Sequence, residues 1–324
     1  GVILFGHNYD SAGQLAELIN EIQSLRGDYP LFIAVDHEGG RVQRFKSGFT
    51  KFPPMQDLAK LNSAKLCYEA HQVMAVELKA CGVNLNFSPC CDILSNLENT
   101  VIGDRSFGST HEIVSSFATA AIRGLQTNNI LACAKHFPGH GSTLEDSHFD
   151  LPYLKKSLEE LEDSDIIPFL KAAKAKVEFI MMGHLVLKEF DEQLPCSLSK
   201  KAHDYLRTKL KFNKLIISDD MNMHAITDQF SLEKAAVMAL NAGSDIIEYR
   251  DMESAQKGYE AIVQAKQLGQ LTNSSINKKV ERVIDCKKRY LNDFAPKMIS
   301  KLSSEMKINE HQQFIEKILD KINQ

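Results

Sequence analysis

The sequence predicts an α/β fold, specifically a (β/α)8 barrel of the TIM type. Short apolar runs alternate with longer segments of helical periodicity, which is typical of parallel strands covered by helices on both faces. Charged or histidine residues follow most of the apolar runs directly. Because the C-terminal ends of barrel strands converge on one site, whereas an open sheet uses one switch point, this distribution favours the barrel. The predicted strands are 2–5, 31–36, 84–88, 131–136, 179–184, 215–219 and 245–249.

Amphipathic segments between these strands predict the helices of the barrel. The first helix begins after Ser11, a candidate N-cap, and is expected to end at Gly27. A second helix carries an apolar stripe and is expected to end at Gly82. Further helical segments are predicted near 111–127, 156–174, 199–210, 231–242 and 253–268.

The barrel is assigned to residues 1–295 and a C-terminal helical extension to residues 296–324. Seven strands are counted and not eight, and we expect the first barrel strand to lie before Gly1. The extension has an apolar helical face, so we expect it to pack on the barrel exterior, with docking of a partner as the alternative. This face is formed by Ile308, Phe314, Ile315, Ile318, Leu319 and Ile322.

Composition excludes several classes of partner and location. The 324 residues carry a formal net charge of -4, which does not suit a surface for nucleic acid or anionic membranes. No apolar run is long enough for a membrane span, and the first ten residues lack the basic region of a secretory signal. The seven cysteines form no C-x-x-C pattern and several lie in apolar runs, which suits a reducing compartment. We therefore expect a cytoplasmic monomer without a cofactor.

The acidic pair Asp219 and Asp220 follows the predicted strand 215–219. Burying a carboxylate costs free energy unless it is paired or used, so the strand-end position of Asp219 favours a functional role. Asp220 is interpreted as a cap of the following helix.

The segment 134–152 packs three histidines, a lysine and three acidic residues into a strand end and loop. Asp146 and His148 stand two apart, so in an extended segment both side chains point the same way. A carboxylate that binds an imidazole favours its protonated form, which makes the histidine a usable acid or base. A zinc site built from His136, His140, His148 and Asp146 is the rival interpretation; the spacing and the neighbouring Lys135 disfavour it, and we predict no metal.

Two further clusters can hold a polar ligand. In DHEGGRVQRF, residues 36–45, a glycine pair permits a tight turn, and Asp36, Arg41 and Arg44 can bracket the ligand. In VIGDRSFG, residues 101–108, Asp104 and Arg105 lie between glycines. An ion pair that only stabilises its own loop is the alternative for this second cluster.

Together these motifs resemble glycoside hydrolase family 3, and specifically its single-domain bacterial β-N-acetylhexosaminidases. The matching stretches are VDHEGGRVQRF, NLNFSPCCDI, VIGDRSFG, KHFPGHG followed by DSH, MMGHL and SDDMNM, in that order. The resemblance implies Asp219 as nucleophile and His148 as acid/base, with Asp146 as the partner of His148. It also implies sugar binding by Asp36, Arg44, Arg105, Lys135 and His136. One departure is His37, where relatives often have glutamine.

The resemblance further implies a retaining exo-β-N-acetylglucosaminidase that removes terminal GlcNAc from peptidoglycan fragments by double displacement. The chain has no tryptophan, which favours a pocket that holds one small sugar by hydrogen bonds. A β-N-acetylglucosaminide phosphorylase and a hexosaminidase of chitin fragments are the enzymatic alternatives. A non-catalytic sugar-binding barrel is the alternative from another class.

Overall fold

The computed structural model describes residues 1–143, 151–292 and 294–322, and its centre is one parallel sheet of seven strands. The sheet order is β1-β2-β5-β6-β7-β8-β9, and each neighbouring pair is parallel. All seven predicted strands are confirmed. They are β1 Val2–Leu4, β2 Ile33–Val35, β5 Leu85–Asn86, β6 Leu131–Phe137, β7 Phe179–Met182, β8 Leu215–Asp220 and β9 Ile246–Glu248; the short pair β3 His37–Gly39 and β4 Val42–Gln43 forms an antiparallel hairpin directly after β2.

The sheet is curled, as a barrel-type fold requires. The rings of Phe32, next to β2, and Phe179, in β7, lie 5.4 Å apart in an edge-to-face contact. In a flat sheet three strand spacings, roughly 14 Å, would separate these strands. We call the concave side the inner face. Its apolar residues pack together: Phe32, Ala34, Leu85, Phe87, Leu131, Cys133, Phe179, Met181, Leu215 and Ile217.

Most helices cover the convex side of the sheet and connect its strands, whereas the helix Asn273–Tyr290 contributes Cys286 to the inner apolar cluster. Serine, threonine or aspartate caps many of their N-termini, and the predicted cap Ser11 accepts a hydrogen bond from Gln14 N. The helices are α1 Ala12–Ser24, α2 Met55–Lys60, α3 Ala64–Cys81, α4 His111–Gln126, α5 Leu158–Glu162, α6 Ile167–Lys174, α7 Lys200–Thr208, α8 His224–Thr227, α9 Leu232–Ala242, α10 Met252–Gln267, α11 Asn273–Tyr290, α12 Leu302–Met306 and α13 Ile308–Ile322.

Two helix boundaries differ from the prediction. Helix α1 ends at Ser24 and not at Gly27, because the chain already leaves the helix at Leu25. The single helix predicted over 156–174 is two helices, α5 and α6. Pro168 explains the break: it lies in the first turn of α6, where its missing N–H costs nothing, whereas a continuous helix would lose a backbone hydrogen bond there. The sequence analysis did not predict the hairpin, α2, α8 or α11.

The C-terminal helices α12 and α13 pack against the barrel exterior. Ile315 and Ile318 are fully buried in the same apolar cluster as the helices around the sheet. His311 Nδ1 lies 2.9 Å from the buried Glu77 carboxylate in α3, which also accepts a hydrogen bond from Thr50 N. The apolar face predicted for the extension is therefore the face that packs. A domain boundary at 295/296 stays a prediction.

All seven cysteines are free thiols buried in the structure. Among the described residues, the helices are too short or too polar to traverse a lipid bilayer.

Candidate active site

Alternation along the strands directs three of the predicted site residues to the inner face. In β6, Leu131 and Cys133 belong to the inner apolar cluster, and Lys135 continues the same alternation. The same rule places Asp36 two residues beyond Ala34 and Asp219 two residues beyond Ile217. Three charged groups from separate strands therefore meet at the C-terminal end of the curled sheet, where sites of TIM-type barrels lie.

Glu38 connects the cationic residues of this site, although the sequence analysis gave it no role. Its carboxylate accepts two hydrogen bonds from Arg105, at 2.9 Å from Nε and 2.8 Å from Nη2. Lys135 Nζ lies 2.7 Å from the same carboxylate and 2.7 Å from Asp36 Oδ1. Burial would raise the pKa of Glu38, but Arg105 and Lys135 hold it well below its usual range. The cluster is a buried ionic network that fixes both cations.

Arg44 completes the network on the side of Asp36. Its Nη2 lies 3.3 Å from Asp36 Oδ2. Burial acts to raise the pKa of Asp36, and the nearby Lys135 and Arg44 reverse this effect and lower it. Arg44 Nε is buried and has no hydrogen-bond partner among the described residues. One donor therefore remains for a ligand.

Asp92 organises the segment that carries His136. Its Oδ1 accepts hydrogen bonds from the backbone N–H groups of His136 and His140, at 3.1 and 2.7 Å. Its Oδ2 lies 2.7 Å from His136 Nδ1. This contact assigns the proton to Nδ1 and leaves Nε2 as the nitrogen that can bind a ligand. Asp92 is a positioning residue to which the sequence analysis assigned no role.

Cys90, Asp92 and His136 are the described residues whose donor atoms are close enough together to hold a metal ion. Their contacts are hydrogen bonds to one another, and Cys90 Sγ donates to Asp92 Oδ2 at 3.1 Å. Burial raises the pKa of the Cys90 thiol well above its usual value, and the Asp92 charge adds to this effect. The hydrogen bonds from Cys90 and His136 to Asp92 account for the contacts among these three side chains.

Asp219 has the electrostatics of an ionised carboxylate. Burial acts to raise its pKa, but His136 and His184, the Asp220 N–H and Lys135 together lower it below the usual value. The Asp220 N–H donates to Asp219 Oδ1 at 2.8 Å. An unprotonated carboxylate next to the cationic network is suited to attack an electron-poor carbon.

Asp220 has a different role from the predicted helix cap. Its Oδ1 accepts from Asn222 N, and its Oδ2 pairs with Arg250 at 2.9 Å. Helix α8 begins only at His224, after an intervening turn, so the interpretation of Asp220 as its cap is wrong.

The structure thus brings Asp36, Arg44, Arg105, Lys135 and Asp219 to one end of the sheet, with His136 held beside them by Asp92. The two remaining predicted residues, Asp146 and His148, lie outside the described residues. A surface cavity of about 780 Å³ lies away from this site, between α3, α4 and α6.

A TIM-type sheet with carboxylates and cations converging at its strand ends is typical of an enzyme that acts on a polar substrate. The family model "Glycosyl hydrolase family 3 N terminal domain" matches residues 1–286. The chain belongs to this family of glycoside hydrolases.

Individual relatives agree with this assignment. A beta-hexosaminidase of Tolumonas auensis is 42% identical over 251 residues, covering 76% of this chain and 74% of the relative. A family 3 β-N-acetylglucosaminidase structure from a Paenibacillus species is 31% identical, with a TM-score of 0.88, and the match covers 98% of this chain and 62% of that chain. A fungal multi-domain β-N-acetylglucosaminidase structure is also 31% identical, with a TM-score of 0.95, over 98% of this chain and 39% of that chain. The chain therefore spans about three quarters of the first relative and smaller parts of the two solved proteins.

Proposed function

We propose that the chain is a retaining exo-β-N-acetylglucosaminidase that removes terminal non-reducing GlcNAc from peptidoglycan fragments in the cytoplasm. The observation that carries the activity is the ionised Asp219 at the end of β8, beside the network of Asp36, Glu38, Lys135 and Arg105. The names of relatives about 40% identical, all beta-hexosaminidases, support the sugar class. The peptidoglycan substrate rests on family resemblance.

In the proposed mechanism, an Asp219 oxygen forms a bond to the anomeric carbon as the glycosidic C–O bond breaks. His148, oriented by Asp146, donates its proton to the departing oxygen. Neutral His148 then takes a proton from water, which attacks the anomeric carbon and releases Asp219. Two inversions at the same carbon retain the β configuration.

The sugar would be held by Asp36, Arg44, Arg105, Lys135 and His136. Lys135 and Arg105 are locked by Glu38 before substrate arrives, so little orientation has to be established on binding. A carboxylate and cations suit sugar hydroxyl groups, which both donate and accept hydrogen bonds. A set of groups that holds one terminal sugar fits the proposed exo cleavage.

The test compares Asp219→Asn with Asp220→Asn on an aryl β-GlcNAc substrate. Asp219→Asn should lower kcat by at least about 10³-fold because the nucleophile is lost. Asp220→Asn is the matched control, since its carboxylate pairs with Arg250, and it should keep most activity. Wild-type turnover by Asp219→Asn would refute the assignment of the nucleophile.

Two further measurements examine the mechanism and its alternatives. NMR of the first product formed should show the β-anomer, and an α-anomer would contradict a retaining reaction. His148→Ala should lose more activity on natural disaccharide substrates than on those with a phenolate leaving group, which needs less protonation. An equal loss on both would leave His148 without its acid role. Product formation that requires phosphate would favour the phosphorylase.

A further inference from the structure

Glu248 is a further carboxyl group at the inner edge of the site, on the strand next to the one that carries Asp219. It is the last residue of β9, and it lies two residues beyond Ile246, which packs against the inner apolar cluster. The alternation that directs Asp219 inward therefore directs Glu248 inward too. Ile217 pairs with Ile246, and after an irregularity in the register Glu248 pairs with Asp220, so the two carboxyl-bearing strand ends are adjacent.

One oxygen of the Glu248 side chain is left unpaired by the described part of the fold. Its Oε2 is buried and has no hydrogen-bond partner among the described residues. The backbone, in contrast, is fixed on both sides: Glu248 N donates to Ser218 Oγ at 3.0 Å, and its carbonyl accepts from Met221 N at 3.0 Å. A buried polar atom without a partner costs free energy, which suggests that a ligand completes the site.

The surroundings make Glu248 a hydrogen-bond donor. Burial raises its pKa well above the usual value, and the charges of Asp219, Asp36 and Asp220 raise it further, with Lys135 opposing them. These groups face it from β8, from the end of β2 and from β6. A raised pKa favours the protonated carboxyl group, whose O–H requires an acceptor.

Much of the wall around the Glu248 side chain is apolar. Glu248 lines a cavity of about 380 Å³ whose walls include Phe32, Phe87, Phe179 and Ile217. These apolar side chains cannot accept a hydrogen bond. The cavity is also lined by Ala34 and Ile217, which lie two residues before Asp36 and Asp219 on their strands. Because it therefore adjoins the site, the missing acceptor is expected from the molecule held over Asp219.

We propose that Glu248 binds the sugar directly, donating a hydrogen bond to one oxygen substituent of the ring held over Asp219, and so contributes to sugar specificity. This inference rests on the proposed function, because it takes the ligand to be an amino sugar. It adds a residue to the set of sugar-binding groups and gives that residue a neutral donor role, unlike the charged groups around it.

The experiment compares Glu248→Gln with Glu248→Leu. Glutamine keeps the size and a donor group but cannot ionise, so kcat/KM for an aryl β-GlcNAc substrate should stay within about threefold of wild type. Leucine keeps the volume without a donor, and kcat/KM should fall by about ten- to a hundredfold. The control Glu260→Leu removes an exposed carboxylate in α10 and should change nothing.

Substrates that lack single oxygen atoms distinguish a contact from a structural effect. The series contains the 3-deoxy, 4-deoxy and 6-deoxy GlcNAc glycosides and the glucoside, which replaces the acetamido group. The loss caused by Glu248→Leu should disappear for the one substrate that lacks the contacted oxygen. An equal loss across the series, together with a lowered Tm, would mean that Glu248 only supports the fold and would overturn the proposal.

Binding measurements separate this inference from the proposed function. If wild type hydrolyses none of the glycosides, the proposed activity fails, and Glu248 is then judged by calorimetric titration with GlcNAc. At least tenfold weaker binding to Glu248→Leu than to wild type would still support a sugar contact. Equal affinity, or no binding by wild type, would overturn it.

Discussion

Replacing Glu38 by glutamine should both destabilise the protein and impair its site. Glu38 accepts two hydrogen bonds from Arg105 and lies 2.7 Å from Lys135 Nζ. Glutamine has nearly the same shape, but its NH₂ group places a donor opposite groups that are themselves donors. Arg105 and Lys135 would remain buried, with Asp36 as the remaining carboxylate close to Lys135.

The magnitude follows from burial. The side chains of Glu38, Lys135 and Arg105 are 2%, 3% and 11% exposed. Removing one partner of such a buried ion pair costs about 3–5 kcal/mol in the free energy of unfolding, because the remaining charge stays uncompensated. An exposed pair contributes only about 0.2–1 kcal/mol. Both cations are also proposed sugar ligands, and displacing a ligand by about 1 Å costs on the order of 10²-fold in rate.

Urea denaturation and kinetics on an aryl β-GlcNAc substrate test both effects. The matched control is Asp104→Asn, which breaks an Arg–Asp pair with Arg41 at 3.0 Å whose side chains are 48% and 39% exposed. We expect a loss below about 1 kcal/mol for this control. If Glu38→Gln lost less than 1 kcal/mol, or no more than the control, the network would not be the structural element described.

Two further predictions concern buried histidines and a glycine. Burial lowers the pKa of His71 and His203 to about 4. As the pH falls, these histidines are therefore protonated in the unfolded chain before they are protonated in the folded protein. The free energy of unfolding should decrease between about pH 6.5 and pH 4, by about 1.4 kcal/mol per pH unit for each histidine. His71→Gln should reduce this slope, measured by urea denaturation at several pH values; an unchanged slope would contradict the assignment. In Gly141→Ala the new Cβ would lie 1.9 Å from the Ile93 carbonyl oxygen, so Tm and activity should both drop. The control is Gly27→Ala, whose new Cβ has no atom within 4 Å, and it should leave both Tm and activity unchanged. Equal melting temperatures for the two variants would refute the steric argument.

The strands and the converging charged residues were predictable because they depend on local sequence. An apolar run of four to six residues indicates each strand, and the charged residue that follows it, Asp36, Lys135 or Asp219, indicates where the strand ends. Because a barrel brings the C-terminal ends of its strands together, the predicted topology then places these residues close to one another. Boundaries inside helical segments were harder. The prediction overlooked Pro168, which separates α5 from α6, since periodicity continues on both sides of it.

The partners of the site residues were not predictable, because they come from distant parts of the chain. Glu38 was visible in the DHEGG motif, yet its hydrogen-bonding partner Arg105 lies 67 positions away in the sequence. Asp92 receives donors from residues 44 and 48 positions further on. Sequence spacing contains no information on which of several cations a carboxylate will meet, so Glu38 and Asp92 received no positioning role.

Asp219 and Glu248 show how the pKa values of two similar groups on adjacent strands are shifted in opposite directions. Asp219 receives the Asp220 N–H and lies near Lys135 and His136, which favour its charge. The buried Glu248 oxygen receives no such donor among the described residues, and the charge on Asp219 makes ionisation of Glu248 more costly. The coupling works in both directions: an ionised Glu248 would raise the pKa of Asp219 and weaken the nucleophile. A neutral Glu248 therefore favours an ionised Asp219, and Glu248→Gln should leave the acid limb of the pH–rate profile where it is.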